Sequence, residues 1–108
     1  MPSASKYIRT LLRHAAAEAH RRELDRELQA LHAAFEHWRQ GKLSGFELSD
    51  RLHRFHQGPN RELYGRYSDT DPLFAVAAAV NTGVMQLEEL SPELHSILRP
   101  LVDRLKLL

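Results

Sequence analysis

Cysteine is absent from all 108 residues. With it go disulfide bonds, thiolate metal sites and thiol nucleophiles. Such a chain suits a reducing compartment, and a cytoplasmic setting is the expectation. Apolar runs are short. None approaches the roughly 20 residues that cross a bilayer, and the opening stretch MPSASKYIRTLLRHAAAEAH holds no continuous apolar core ahead of a cleavage site. Neither a membrane span nor a secretory signal is therefore expected. Charge of one sign is nearly balanced, with 15 Lys and Arg against 14 Asp and Glu, short of the excess that marks a DNA-binding domain. A glycine-rich phosphate loop, a dinucleotide fingerprint and a paired-carboxylate motif are all missing. No segment alternates as a strand should.

Glycine and proline are scarce too, five of each, and their positions divide the chain. Between Ser5 and Gln40 there is neither, and Ala, Leu, Glu, Arg and Gln dominate, which predicts a long helix stopped at Gly41. Ser44-Gly45-Phe46-Glu47 has capping-box spacing and should open a second helix reaching about Gln57. Gly58-Pro59 should end it, and Asn60 should cap a short third helix through Tyr67. Asp71-Pro72 starts a fourth, Ala-rich helix to about Asn81. One turn is expected at Leu87–Leu90. A last helix begins at Ser91-Pro92 and is kinked or interrupted by Pro100. The fold class is all-α: a small helical bundle of four to six helices with a long N-terminal helix. At 43% hydrophobic and 27% charged, residues 1–108 read as one folded domain.

The long helix carries two apolar seams. Leu24, Leu28, Leu31, Phe35 and Trp38 follow a/d spacing, and so do Ile8, Leu12, Ala15 and Ala19, but the two rows point to nearly opposite sides of a straight helix. Either the chain bends near His20, or the second row enters the core and the first serves something else. In the second case Ile8, Leu11, Leu12, Ala15 and Ala19 form a self-association stripe, and a two-fold homodimer is expected. Opposite this stripe lie the cations Lys6, Arg9 and Arg13. Lys6, Arg9, Arg13, Arg21 and Arg22 stand against Glu18 alone, which puts +4 on residues 1–22 and −3 on the rest of a +1 chain. Residues 1–22 are thus a candidate projecting basic amphipathic arm able to touch nucleic-acid phosphates. The stripe has no Trp or Phe to anchor in lipid, so membrane binding is not expected.

The densest cluster of chemical groups is LSDRLHRFHQGPNRELYGRY, Leu48 to Tyr67. Asp50, His53 and His56 are three apart and share a helix face, beside the apolar Leu48, Leu52 and Phe55. Three uses compete. His53 and His56 with Asp50 are possible metal ligands, but the spacing lacks the i,i+4 pair and following Glu of a metalloprotease. A histidine oriented by Asp50 is a possible general base, with Arg61, Tyr64 or Tyr67 polarising a substrate, yet no nucleophile completes the set. Structural pairing of Asp50 with Arg54 and of Glu62 with Arg66 uses the charged groups without a ligand. No cofactor is implied.

The run LHRFHQGPNRELYGRY followed by DPLFAVAAAV resembles small bacterial proteins of unknown function. The resemblance spans residues 48–81 and beyond and implies a bacterial cytoplasmic setting. It carries no activity or site. The expected role is a non-enzymatic protein-interaction or regulatory module that self-associates. Asp50, His53, His56, Arg61, Tyr64 and Tyr67 are its candidate partner surface. A nucleic-acid accessory protein using the basic arm, and a small enzyme or metal protein using the Asp50/His53/His56 row, are the alternatives.

Overall fold

In the computed structural model, which describes residues 2–108 and side chains from Lys6 onward, one helix sets the shape. Side chains 1–5 of the expected arm lie outside it. Helix α1 (Pro2–Arg39) is unbroken. At 1.5 Å per residue it is about 57 Å long, and the molecule's longest extent is 58 Å. The radius of gyration, 17.5 Å, exceeds the ~13 Å of a compact domain of this size.

The chain reverses at Gly41, whose φ of +76° is a conformation that a Cβ disfavours. Ser44 then caps α2 (Gly45–Phe55). Its hydroxyl accepts the Glu47 N–H at 3.0 Å, and the Glu47 carboxylate accepts the Ser44 N–H at 3.0 Å. Leu43 and Leu48 close over Ala34 as a small core.

Gly58-Pro59 does not end this helix. The chain passes through a π-turn, His56–Asn60, and continues as α3 (Arg61–Ser68). Asn60 keeps helical backbone angles and caps nothing. Proline in a tight α-turn crowds the carbonyl four residues back and lacks an N–H. The wider i→i+5 turn relieves both problems, so the helix bends rather than stops. The α2–π–α3 unit runs back antiparallel along α1. At the far end Gly45 lies beside the Trp38 indole, and midway along α1 Tyr67 reaches Glu23.

Asp71 starts α4 (Pro72–Asn81), its Oδ1 accepting the Leu73 N–H at 2.9 Å. A 3₁₀ turn at Leu87–Glu89 leads to α5 (Pro92–Lys106). Pro100 does not interrupt α5. Pro100 and Ser96, whose carbonyl loses its helical donor, are both exposed, so water can take the missing bond.

Helices α4 and α5 fold onto the first half of α1. Leu12, Ala15, Ala16 and Ala19 meet Val76, Ala77 and Ala79 of α4 and Leu94, Leu98 and Val102 of α5, with Val84 and Met85 between them; Ile8 and Leu11 pack against this core. The alanines on both sides allow close helix approach. The stripe expected to serve self-association is therefore covered by the chain's own helices. The molecule is all-α, and among the described residues there is no strand and no helix long and apolar enough to cross a membrane.

Candidate functional site

The second seam of α1 has the opposite fate to the first. At 100° per residue, Leu24, Leu28, Leu31, Phe35 and Trp38 fall within an arc of about 80°. That arc is centred about 130° from the arc of Leu12 and Ala19, which holds α4 and α5. Only α2–π–α3 packs near it, and from one side. Leu48, Phe55 and Leu63 are the apolar groups it turns inward, with Leu48 and Leu63 buried and Phe55 half-buried. Leu28 stays 42% exposed, Phe35 36%, Trp38 45% and Leu52 of α2 38%.

Leu28, Phe35 and Leu52 lie on one edge of the two-helix hairpin, whereas Trp38, in phase with His20, turns toward Gly45. The other edge is fixed by a shallow cleft in which Glu27, Ala30, Leu31 and Ala34 of α1 face Arg51, Arg54 and Phe55 of α2, so Leu31 turns between the two helices. In an antiparallel pair the opposite flanks of both helices share the opposite face. That face takes Leu28 and Phe35 from α1 and Leu52 from α2. Helical phase carried through the π-turn adds His56 and Tyr64, both exposed. The result is an apolar and aromatic face with no carboxylate and no ammonium at its centre. Arg21, Asp25 and Arg39 stand along its rim.

A polar joint holds the hairpin to α1. Tyr67 stacks on His20, and its hydroxyl donates to the Glu23 carboxylate. Arg66 Nη1 donates to both Glu23 oxygens at 3.2 Å. Burial, then the bond to Glu23, pushes the Tyr67 pKa up. Arg66 thus takes Glu23, not the expected Glu62. A second clamp joins α1 to the 3₁₀ turn. Arg22 donates to Glu18 at 2.8 Å, to the Val84 carbonyl at 3.1 Å and to both oxygens of Glu89. Arg21 also bonds Glu18, at 2.7 Å, and Asp25, at 2.6 Å. The Arg21 guanidinium first, then that of Arg22, holds the Glu18 carboxyl at about 2.

The sequence-derived partner surface does not stay together. Tyr67 turns inward as a strut. Asp50 and His53 lie on the side of α2 away from Leu48 and are exposed. Asp50 is paired with Arg54, whose guanidinium lowers its pKa. His56 and Tyr64 flank the open face, and Arg61 is exposed. The Asp50/His53/His56 row therefore faces solvent. Among the described residues no three His, Cys, Asp or Glu side chains converge as a metal site would require. In the basic arm, Lys6, Arg9 and Arg13 are exposed and Arg13 donates to the Thr10 hydroxyl at 3.3 Å, while Arg21 and Arg22 are engaged by carboxylates of the same chain.

Two small clefts, of about 150 and 240 Å³, border the joint and share Glu23, Arg26 and Arg66. A third, about 320 Å³, lies between the 3₁₀ turn and α5, with Glu88, Arg99, Asp103 and Lys106 around Val80, Leu87 and Val102. Each mixes charges of both signs, and none of Asp50, His53, His56, Arg61 or Tyr64 lines any of them. Sequence reasoning missed the open face because an a/d seam reads as core. One signal was available: the segments free to cover Leu24–Trp38 supply too few inward apolar residues to bury Phe35 and Trp38.

No protein-family model, no curated protein and no solved structure matches the chain.

Proposed function

We propose that the chain is a non-enzymatic protein-interaction module that works through the open face of the α1/α2–α3 hairpin. One observation carries this reading: Leu28, Phe35 and Leu52 are half-exposed large apolar side chains on one flank of a two-helix hairpin. Water against such a row is unfavourable at ~25 cal/mol per Å² of apolar surface, and rows of this kind mark contact sites. Phe, Tyr and Leu at the centre with Arg at the rim is the composition of an interface core. His56 and Tyr64 remain within the reading as flanking groups, whereas Asp50, His53 and Arg61 stand outside it. A cysteine-free surface suits a reducing cytoplasm.

The discriminating experiment is quantitative affinity capture with three baits: the unaltered chain, Phe35→Asp and Asp50→Asn/His53→Ala. Capture of a binding protein, whether a further copy of the chain or a different one, should fail with Phe35→Asp and persist with the double variant. Equal capture by all three would overturn the open face as the working surface. For the nucleic-acid alternative, Lys6, Arg9 and Arg13 are the exposed cations, whereas Arg21 and Arg22 pair with carboxylates of the same chain.

A further inference from the structure

Resting on that reading, we propose that the occupant of the open face is a second copy of this chain. Two hairpins stack face to face about a two-fold axis and complete a four-helix layer.

Size is the first argument. From Ala17 to Trp38 the uncovered side of α1 runs about 32 Å at 1.5 Å per residue. Two helices side by side are roughly 18–20 Å wide, given interaxial distances of 8–10 Å. The face is thus roughly 600 Å² in projection, and side-chain relief raises its accessible area toward the ~800 Å² per partner of a standard stable interface. A face much smaller would suit only a transient contact, and one much larger would not fit on two helices.

Self-complementarity is the second. A two-fold interface places the same patch on both sides, so the patch must tolerate itself. The centre of this face carries no charge, and a copy meets it without like-charge repulsion. Antiparallel copies of α1 crossing level with Leu31 set Phe35 against Leu28 across the axis. Each aromatic meets an aliphatic, as interdigitating layers need. An unrelated partner chosen by charge would find nothing at the centre to read, because the only charges are at the rim.

Completeness is the third. A helical hairpin bare on one face is half of a four-helix bundle, the commonest way for such hairpins to bury their apolar stripes. Helices α4 and α5 lie on the other side of α1, so they do not obstruct the stacking.

The test is the solution mass of the full chain by light scattering, with helix content followed by circular dichroism. The unaltered chain should weigh twice the 12.4 kDa of one copy. Leu28→Asp/Phe35→Asp should halve that mass with helix content unchanged. Phe46→Asp, on the solvent side of α2, should leave it doubled. Because the chain has no cysteine, substitutions give a second reading: a mixture of Leu28→Cys and Phe35→Cys chains, which face each other across the axis, should form an intermolecular disulfide on mild oxidation, and Phe46→Cys should not. A mass of 12.4 kDa at the highest soluble concentration, or a dimer that survives Leu28→Asp/Phe35→Asp, overturns the proposal. Monomeric mass with Phe35-dependent capture of a different protein overturns only the second copy as occupant. Monomeric mass with no Phe35-dependent capture overturns the interaction reading as well.

Discussion

Tyr67 lies flat on His20, ring centroids 5.1 Å apart and planes 8° from parallel. This contact fixes where the returning helix meets α1, because the same tyrosine donates its hydroxyl to Glu23 one turn further along. The Glu23 side chain is only 18% exposed, so its carboxylate depends on Tyr67 and Arg66 for the bonds that water does not supply. Tyr67→Phe keeps the stack and removes the hydroxyl, and a loss of about 1–2 kcal/mol is expected. Tyr67→Ala removes both and should lose about 3–4 kcal/mol. Urea denaturation of the two variants measures this; a neutral Tyr67→Phe would mean that the hydroxyl bond adds nothing.

Acid should weaken the fold through the Arg22 clamp. Glu18 is lowered from an ordinary 4.5 to about 2 by Arg21 and Arg22, and Glu89 is lowered by Arg22 and by the Gln86 N–H. A carboxylate with a depressed folded-state pKa stabilises above its unfolded value and loses that contribution as pH falls. The denaturation midpoint should therefore decline as pH drops from about 4.5 towards about 2. Arg22→Gln should lower the midpoint at neutral pH and flatten the slope below 4.5. An unchanged slope in the variant would remove Arg22 from the account.

The covered and uncovered seams respond differently to substitution. Ala19 is fully buried where α1 meets the main core, and Ala19→Leu overpacks that contact, which should reduce stability by about 1–3 kcal/mol. Its effect should appear in the unfolding curve and not as a change in solution mass. Phe46, almost fully exposed, should tolerate Phe46→Ser within about 0.5 kcal/mol. If Ala19→Leu proved neutral, α4 and α5 would not seat on α1 as described.

Two glycines give opposite outcomes for the same change. Gly58 lies in the π-turn without a positive φ, and a Cβ there meets nothing within 4 Å. Gly58→Ala should stabilise by about 0.5–1 kcal/mol, because the unfolded chain loses freedom and the folded one loses nothing. Gly41 is equally open, but its φ is +76°. Gly41→Ala should destabilise by about 1 kcal/mol or more from the left-handed backbone alone. Thermal unfolding of the pair, side by side, checks both signs.

Local chemistry made much of the fold legible. The Ser44/Glu47 box, the Asp71-Pro72 start and the stop at Gly41 are written in four or five neighbouring residues, and the backbone follows them. Gly58-Pro59 misled, because the same dipeptide ends an α-helix or widens it into a π-turn, and flanking contacts with α1 choose between the two. The Asp50–Arg54 pair was legible at i,i+4. The Arg66–Glu23 and Tyr67–His20 contacts were not, since their partners lie 43 and 47 positions apart in the sequence.

By itself the sequence determined that the chain is helical, that its long first helix has two apolar seams out of phase, and that no thiol chemistry is present. Only the tertiary structure decided which seam is inside. A helix reports the direction of its apolar groups relative to one another, not relative to the rest of the chain. That choice depends on where the Ser68–Asp71 and Gly83–Ser91 connections deliver α4 and α5. They deliver both to Leu12 and Ala19, and leave Leu28 and Phe35 facing outward.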